Sequence, residues 1–313
     1  MEREDLKKVL GKRCTDRQFA SILANPFMNN IEEYSFDEWK KSFAGAFLLK
    51  NTQRPQIIRM MGEALQKDLI TWEDLSKINL VRIASYIKDK VSPNSACTYL
   101  NIIKAFLNEY SEENVIPCKN IMGVLSGKKV PSQHIALTEN ELEKLNDYLP
   151  KTETEKDVKN LFMKCVLTGC RSSDAKRMTL DNITNGFLSY VSQKTKTEVT
   201  LPVHKWLHKY INERCKTHTT AVANRTIQRI CRNIGINEDC QLYVKGRLQK
   251  GEKWEFVTLH TARRTFCTIL AGKDVPVEII KTLAGHSTTN MTDRYICLDG
   301  KRPGSNAMTF FNN

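Results

Sequence analysis

The sequence predicts a mainly α-helical protein with a small antiparallel β-sheet, an α+β chain in which an all-helical N-terminal domain precedes a mixed second domain. Three observations predict it. From about 31 to 124, apolar residues recur at helical spacing and no alternating run interrupts them. Over 187–203, FLSYVSQKTKTEVTLPV, the period changes, with two β-rich runs flanking the polar turn Gln193-Lys194-Thr195-Lys196. Between these regions SGKKVPSQ, Ser126 to Gln133, has the Gly, Pro, Ser and Lys content of an exposed linker. The length of 313 residues agrees with about two domains at roughly 100–200 residues each.

The expected organisation is an N-terminal extension over 1–30, a helical domain over 31–124, a linker over 125–136 and a second domain with a C-terminal tail over 137–313. The extension is polar, with one small helix expected before Asn25-Pro26. In LVRIASYIKDKV the apolar Leu80, Val81, Ile83, Tyr86 and Ile87 share helical spacing. The next helix opens at Ser92-Pro93-Asn94-Ser95, and Tyr99, Ile102, Ile103, Phe106 and Leu107 form its stripe. Past the linker, Thr138-Glu139-Asn140-Glu141 is a capping box, with Leu142, Leu145 and Leu149 as the buried stripe. Val158, Leu161, Phe162, Cys165 and Val166 mark another helix, which Gly169 breaks just before Arg171. After the hairpin, a second hairpin is expected in QLYVKGRLQKGEKWEFVTL with its turn near Lys250-Gly251. Helices return from His260, punctuated at Gly272, Pro276 and Gly285.

Charge points to a polyanionic partner. The 48 Lys and Arg outnumber the 35 Asp and Glu, a net charge of +13, and the surplus is spread over both domains. Each cation placed on a phosphate releases condensed counterions, so such a surface suits nucleic acid. A solvated surface kept soluble by its charge is the plain alternative. No apolar run approaches the ~18 residues of a membrane span, and MEREDLKKVLGKR is too polar for a signal peptide. A cytoplasmic protein, nucleoid-associated when bound to DNA, is the expectation. Ten cysteines contain no C-x-x-C and read as thiols in a reducing compartment. His204 and His208 in HKWLH have helical i, i+4 spacing but no third ligand nearby, and read as a solvated face.

Four features of the second domain belong together. They are Thr168-Gly169-Cys170-Arg171-Ser172-Ser173-Asp174; Lys194 in the hairpin turn; His260-Thr261-Ala262-Arg263; and Leu283-Ala284-Gly285-His286 followed nine residues later by Tyr295. In their order, the H-x-x-R spacing and the Gly-His to Tyr spacing, the chain resembles the tyrosine recombinase (phage integrase) family. The resemblance covers about 135–300 closely and 31–124 more loosely, as the helical core-binding domain that clasps DNA from the other side in a C-shaped clamp.

The chemistry agrees with these residue types. Attack on a phosphodiester places negative charge on two non-bridging oxygens. A planar guanidinium engages such oxygens bidentately, so Arg171 and Arg263 are candidates for a metal-free clamp. Tyr295 is the candidate nucleophile, which attacks better if its proton is accepted in flight. The resemblance implies His260 as the general base, Lys194 as the general acid for the departing 5′-hydroxyl, and His286 as a hydrogen-bond donor to the phosphate. It implies that Asp174 helps to orient Arg171, although Asp174 could simply pair with it. Lys196 is an alternative to Lys194. Taken singly, each has an ordinary reading: a surface arginine, a core histidine, an amphipathic tyrosine. The joint pattern outweighs those readings. Two departures from the family pattern, Cys170 before the arginine and Ile296-Cys297 after the tyrosine, are expected not to touch the catalytic set.

The expected product is a 3′-phosphotyrosine, with no cofactor, no metal and no ATP. The sequence has no P-loop, no metal-ligand spacing and no G-x-S-x-G elbow. Lys88, Lys90 and Lys104 are further candidates for DNA phosphate contacts. The implied partners are double-stranded recombination sites and a homo-tetramer in the synapse, from a monomer or weak dimer when free. Accessory DNA-bending or directionality factors are implied as well, and Leu298, Phe310 and Phe311 of the tail are candidates to dock on a neighbouring subunit, with Phe310 and Phe311 folding back onto their own domain as the alternative. Within this reading, integration or excision of a phage or mobile element is preferred. A catalytically silent DNA-binding regulator and a type IB topoisomerase-like relaxer are the alternatives.

Overall fold

The computed structural model describes residues 36–212, 216–244 and 246–297. The expected extension helix and the tail residues Leu298, Phe310 and Phe311 fall outside these. The chain divides into two units, 1–132 with 245–247, and 133–244 with 248–313.

The first unit is all helical: α1 Phe36–Lys41, α2 Phe43–Lys50, α3 Pro55–Leu65, α4 Lys77–Lys90, α5 Pro93–Tyr110 and the single turn α6 Ile121–Val124. Ser42, Ser76 and Ser92 each accept a backbone N–H at the start of α2, α4 and α5, contacts of a kind that contribute about 1 kcal/mol each. Proline at the start of α5 supplies a fixed helical φ where no N–H is needed. The core is aromatic: Phe43, Phe47 and Phe106 are buried in edge-on and tilted pairs with ring centroids 5.1–5.8 Å apart. In α4 the buried face is Leu80, Ile83, Ala84 and Ile87, while Val81 is turned outward and 48% exposed. Leu125 is buried in this core, whereas Ile135 belongs to that of the second unit.

The second unit is built around α8, Glu153–Thr168, which is buried on nearly every side. It begins five residues before the expected Val158, because Thr152 caps it by accepting the Glu155 N–H. Preceding it, α7 Glu139–Asp147 carries both halves of the expected capping box. Leu142 and Leu145 are buried, but α7 stops before Pro150 and leaves Leu149 84% exposed. After the one-turn α9 Ser172–Ala175 comes an antiparallel sheet, order β1–β2–β3: Ile183–Thr184, Phe187–Val191 and Glu198–Pro202. The hairpin pairs Phe187 with Pro202 and Val191 with Glu198, so the loop 192–197 carries Lys194. The two-residue β1 is too short for a sequence period to show.

Helices α10 Leu207–Ile211 and α11 Thr220–Asn233 follow, then a hairpin of β4 Asp239–Val244 and β5 Arg247–Glu252. Its turn is at Gly246, at φ +79°, rather than at the expected Lys250-Gly251. Both glycines offer turn chemistry, but β5 runs through Gly251 into a 3-10 turn at Lys253–Phe256. Helices α12 Leu259–Gly272, α13 Val277–Ala284 and α14 Thr289–Asp293 complete the described chain. His204 Nδ1 accepts the Trp206 N–H at 3.2 Å, a local contact before α10. No disulfide is present among the described residues, and no described helix is long and apolar enough to cross a membrane.

Candidate active site

Two left-handed glycines aim two of the key side chains. Gly169, at φ +64°, ends α8, and a Cβ there would lie 2.4 Å from the Phe266 ring. Its carbonyl accepts a hydrogen bond from Arg263 Nη1 at 2.7 Å. Gly285, also at φ +64°, ends α13 against Val199 and turns the chain so that His286 enters the interior, 3% exposed.

A cleft of about 540 Å³ in this unit is lined by Arg171, Ser172, Ser173, Lys194, His260, Arg263 and Tyr295, with Cys170, Asn224 and Met291 among its other walls. His260 Nε2 lies 2.7 Å from the Tyr295 hydroxyl. The His286 ring packs 4.6 Å from the Tyr295 ring, centroid to centroid. The guanidinium groups of Arg263 and Arg264 lie 5.2 and 5.0 Å from the same ring. The six residues expected in the site, from five separate chain segments, are therefore brought together.

Arg263 is 1% exposed, and its Nε and Nη2 are buried without a hydrogen-bond partner among the described residues. His286 likewise leaves Nε2 unpartnered, while Nδ1 lies 3.0 Å from Thr292 Oγ1. Buried unpaired donors cost free energy, more so when charged, and an anionic oxygen in the cleft would relieve that cost. The field has the same sign. Burial first, then the charges of Arg264, Arg263 and Arg171, hold His260 at about 4, although its edge remains open to the cleft. Burial first, then Arg263, Arg171 and His260, holds His286 at about 3. Both imidazoles are neutral at pH 7, so His260 is able to accept a proton.

Asp174 does not pair directly with Arg171. Its buried carboxylate accepts from Arg177 Nη2 (2.9 Å), the Gln193 N–H (3.0 Å) and Ser192 Oγ (3.3 Å). Ser192 Oγ in turn accepts from Arg171 Nη1 at 3.3 Å. Asp174 thus reaches Arg171 through Ser192, and through Gln193 it fastens the loop bearing Lys194. Lys194 lines the cleft, whereas Lys196, at φ +56°, is not among its walls. Lys88, Lys90 and Lys104 lie in the first unit, Lys88 and Lys90 in the last turn of α4, with Lys90 over the Tyr86 ring at 5.2 Å.

Sequence reasoning missed Ser192, Thr292, Arg264 and Thr268. Arg264 and Thr268 follow His260 at intervals of four, a signal that was present. Ser192 has no local signal. The residues after the tyrosine do touch it: Cys297 Sγ approaches the Tyr295 carbonyl at 3.6 Å, and Thr268 Oγ1 accepts the Cys297 N–H at 2.9 Å. Cys170 is also a wall of the cleft.

Solved structures share this fold. The Tn1549 transposon integrase in complex with a circular intermediate DNA is 12% identical, with a TM-score of 0.59 over 90% of this chain and 97% of that one. XerH recombinase bound to a palindromic difH substrate, a post-cleavage complex, is 16% identical, with a TM-score of 0.57 over 99% and 93%. A lambda integrase tetramer bound to a Holliday junction is 15% identical, with a TM-score of 0.56 over 94% and 75%. At these identities the likeness is one of fold. No curated protein sequence matches the chain. The phage integrase family matches residues 136–302, more than half of the sequence and the whole of the cleft just described, and the chain belongs to that family.

Proposed function

We propose that this protein is a site-specific tyrosine recombinase that cuts and rejoins duplex DNA through a 3′-phosphotyrosine, for integration or excision of a mobile element. The observation that carries the reading is the Tyr295 hydroxyl, 2.7 Å from a neutral His260, in a cleft where Arg263 holds two unpartnered donors. Arg171 and Arg263 bind the non-bridging oxygens of the scissile phosphate, and His286 donates from Nε2. The Tyr295 oxygen attacks phosphorus as its proton passes to His260 Nε2. The bond from phosphorus to the 5′-oxygen breaks, and that oxygen takes a proton from Lys194 Nζ. The reverse sequence, with the 5′-hydroxyl of another strand, rejoins the DNA, and the phosphotyrosine conserves the bond energy.

Binding of duplex DNA and assembly into a tetramer are supported by the DNA-bound integrases of like fold, one of them a tetramer on a Holliday junction. In this reading 31–124 is the core-binding domain, 125–136 the linker and 137–313 the catalytic domain. Lys88, Lys90 and Lys104 contact phosphates. The hairpin before His260 favours the mobile-element branch.

Covalent trapping on nicked suicide duplexes, built from sequences that flank the gene and run without divalent metal or ATP, tests the proposal. An SDS-resistant, protease-sensitive adduct is expected with the wild type and none with Tyr295→Phe. Equal adducts from both would refute Tyr295 as nucleophile. Binding without an adduct on any duplex would favour a silent regulator.

A further inference from the structure

We infer that Arg264 and Thr268 are positioning residues that hold Tyr295 in its attacking pose within one protomer, an inference that rests on Tyr295 being the nucleophile. On α12, residues 260, 264 and 268 fall on successive turns of one face. Each engages the short segment 294–297. His260 meets the Tyr295 hydroxyl. Arg264 Nη1 donates to the Arg294 carbonyl at 2.6 Å, and its guanidinium faces the Tyr295 ring at 5.0 Å. Thr268 Oγ1 donates to the Tyr295 carbonyl at 3.4 Å and accepts the Cys297 N–H at 2.9 Å.

The segment needs such anchors. It leaves α14, a five-residue helix too short to be stable alone. Its own ties are the Arg294, Tyr295 and Ile296 N–H groups, all converging on the one Thr292 carbonyl, and the Cys297 thiol 3.6 Å from the Tyr295 carbonyl. The carbonyls past a helix end have no intrahelical partner, and Arg264 and Thr268 supply partners on either side of the tyrosine's Cα. The ring, the carbonyl before it and the carbonyl of Tyr295 itself are thereby fixed to the helix that carries His260 and Arg263. An error of ~1 Å in such a pose costs about a hundredfold in rate.

Arg264 also acts on His260, which is faced by Arg263 and Arg264 of α12, Arg171, His134, His286 and Tyr295. That gives the test a readout beyond stability. Adduct formation by the full chain on the nicked duplex is followed in single turnover from pH 4 to 9, with duplex affinity measured in parallel. Arg264→Gln is expected to slow adduct formation about 10–100-fold while changing affinity less than about threefold. The acid limb of its pH profile should move to higher pH, because His260 loses a repelling charge. Arg264→Lys should leave the limb in place yet remain slow, since an ammonium cannot both cap the carbonyl and lie along the ring. Thr268→Val should slow the reaction several-fold with the limb unmoved. If Arg264→Gln does not fold, Arg264→Lys and Thr268→Val decide by the same criteria. Variants within twofold of the wild type, or losses that only follow DNA affinity, would overturn the inference alone. A wild type without any Tyr295 adduct would overturn the nucleophile assignment, and the inference with it.

Discussion

Acidification should destabilise the second unit through His286, and the size of the effect follows from its surroundings. The imidazole is 3% exposed and is held at about 3 by burial and by Arg263, Arg171 and His260. In the unfolded chain it titrates near ~6.5. A depressed histidine means that the unfolded state binds more protons between those values. The stability it contributes is therefore intact above about 6.5 and falls as the pH drops toward 3. At pH 5 the unfolded histidine is about 1.5 pH units below its pKa while the folded one remains neutral, a loss of about 2 kcal/mol. His260 acts in the same direction but is partly open to solvent, and it adds less. The assay is urea unfolding at pH 7.5 and pH 5.0 for the wild type and His286→Gln. Carboxylates titrate in both proteins and cancel in the difference. The wild type should lose about 2 kcal/mol more than the variant over this interval. Equal losses, or a wild type more stable at pH 5, would refute a buried neutral imidazole at this position.

Gly169→Ala should lower the stability of the second unit by about 2–5 kcal/mol, from left-handed backbone strain and the clash with Phe266. Thermal unfolding should show a fall of roughly 2–4 °C per kcal/mol, with slower adduct formation because the Gly169 carbonyl anchors Arg263. Lys194→Ala should slow cleavage of an ordinary duplex but act at near wild-type rate on a 5′-bridging phosphorothiolate, whose leaving thiolate needs no proton. Lys196→Ala should be nearly neutral on both, and the reverse ranking would make Lys196 the acid. Ser192→Ala should slow both substrates alike, by about tenfold, because it acts through Arg171. Rescue of Ser192→Ala by the phosphorothiolate would show instead that it serves the Lys194 loop.

Helix starts were legible in the sequence because their causes are local. A serine or threonine three residues before a free N–H is enough, and Ser92, Thr138 and Glu141 all act as their spacing predicts. Stripes were less legible at their ends. Val81 and Leu149 are apolar and near the right spacing, yet one faces outward and the other falls past the end of its helix. A leucine there is tolerated because single exposed apolar residues cost little. The second hairpin's turn was ambiguous because Gly246 and Gly251 both sit in suitable company. In β4 alternate residues turn inward, with Cys240 and Leu242 against the core, but the first four residues of β5 are all exposed, so no alternation in β5 marks where its pairing begins.

The site divides along a similar line. Residues such as Arg171, His260, Arg263 and Tyr295 could be recognised because the proposed chemistry demands particular side chains. Their partners are drawn from whatever the fold brings near. Asp174 illustrates the difference. Its position three residues after Arg171 suggests a direct pair, but the carboxylate turns to Arg177, Gln193 and Ser192, and only the serine hydroxyl reaches Arg171. That arrangement leaves the guanidinium without a carboxylate neutralising it directly and keeps its charge available to the cleft. A direct pair would hold Arg171 equally well but would oppose the field that keeps His260 and His286 neutral. An acid one hydroxyl removed therefore orients the arginine at a smaller electrostatic cost to anion binding. The same logic applies to Arg263, which is held by a neutral carbonyl, that of Gly169, rather than by an acid: the fold fixes both guanidinium groups while leaving their charge available to the cleft, as the proposed function requires.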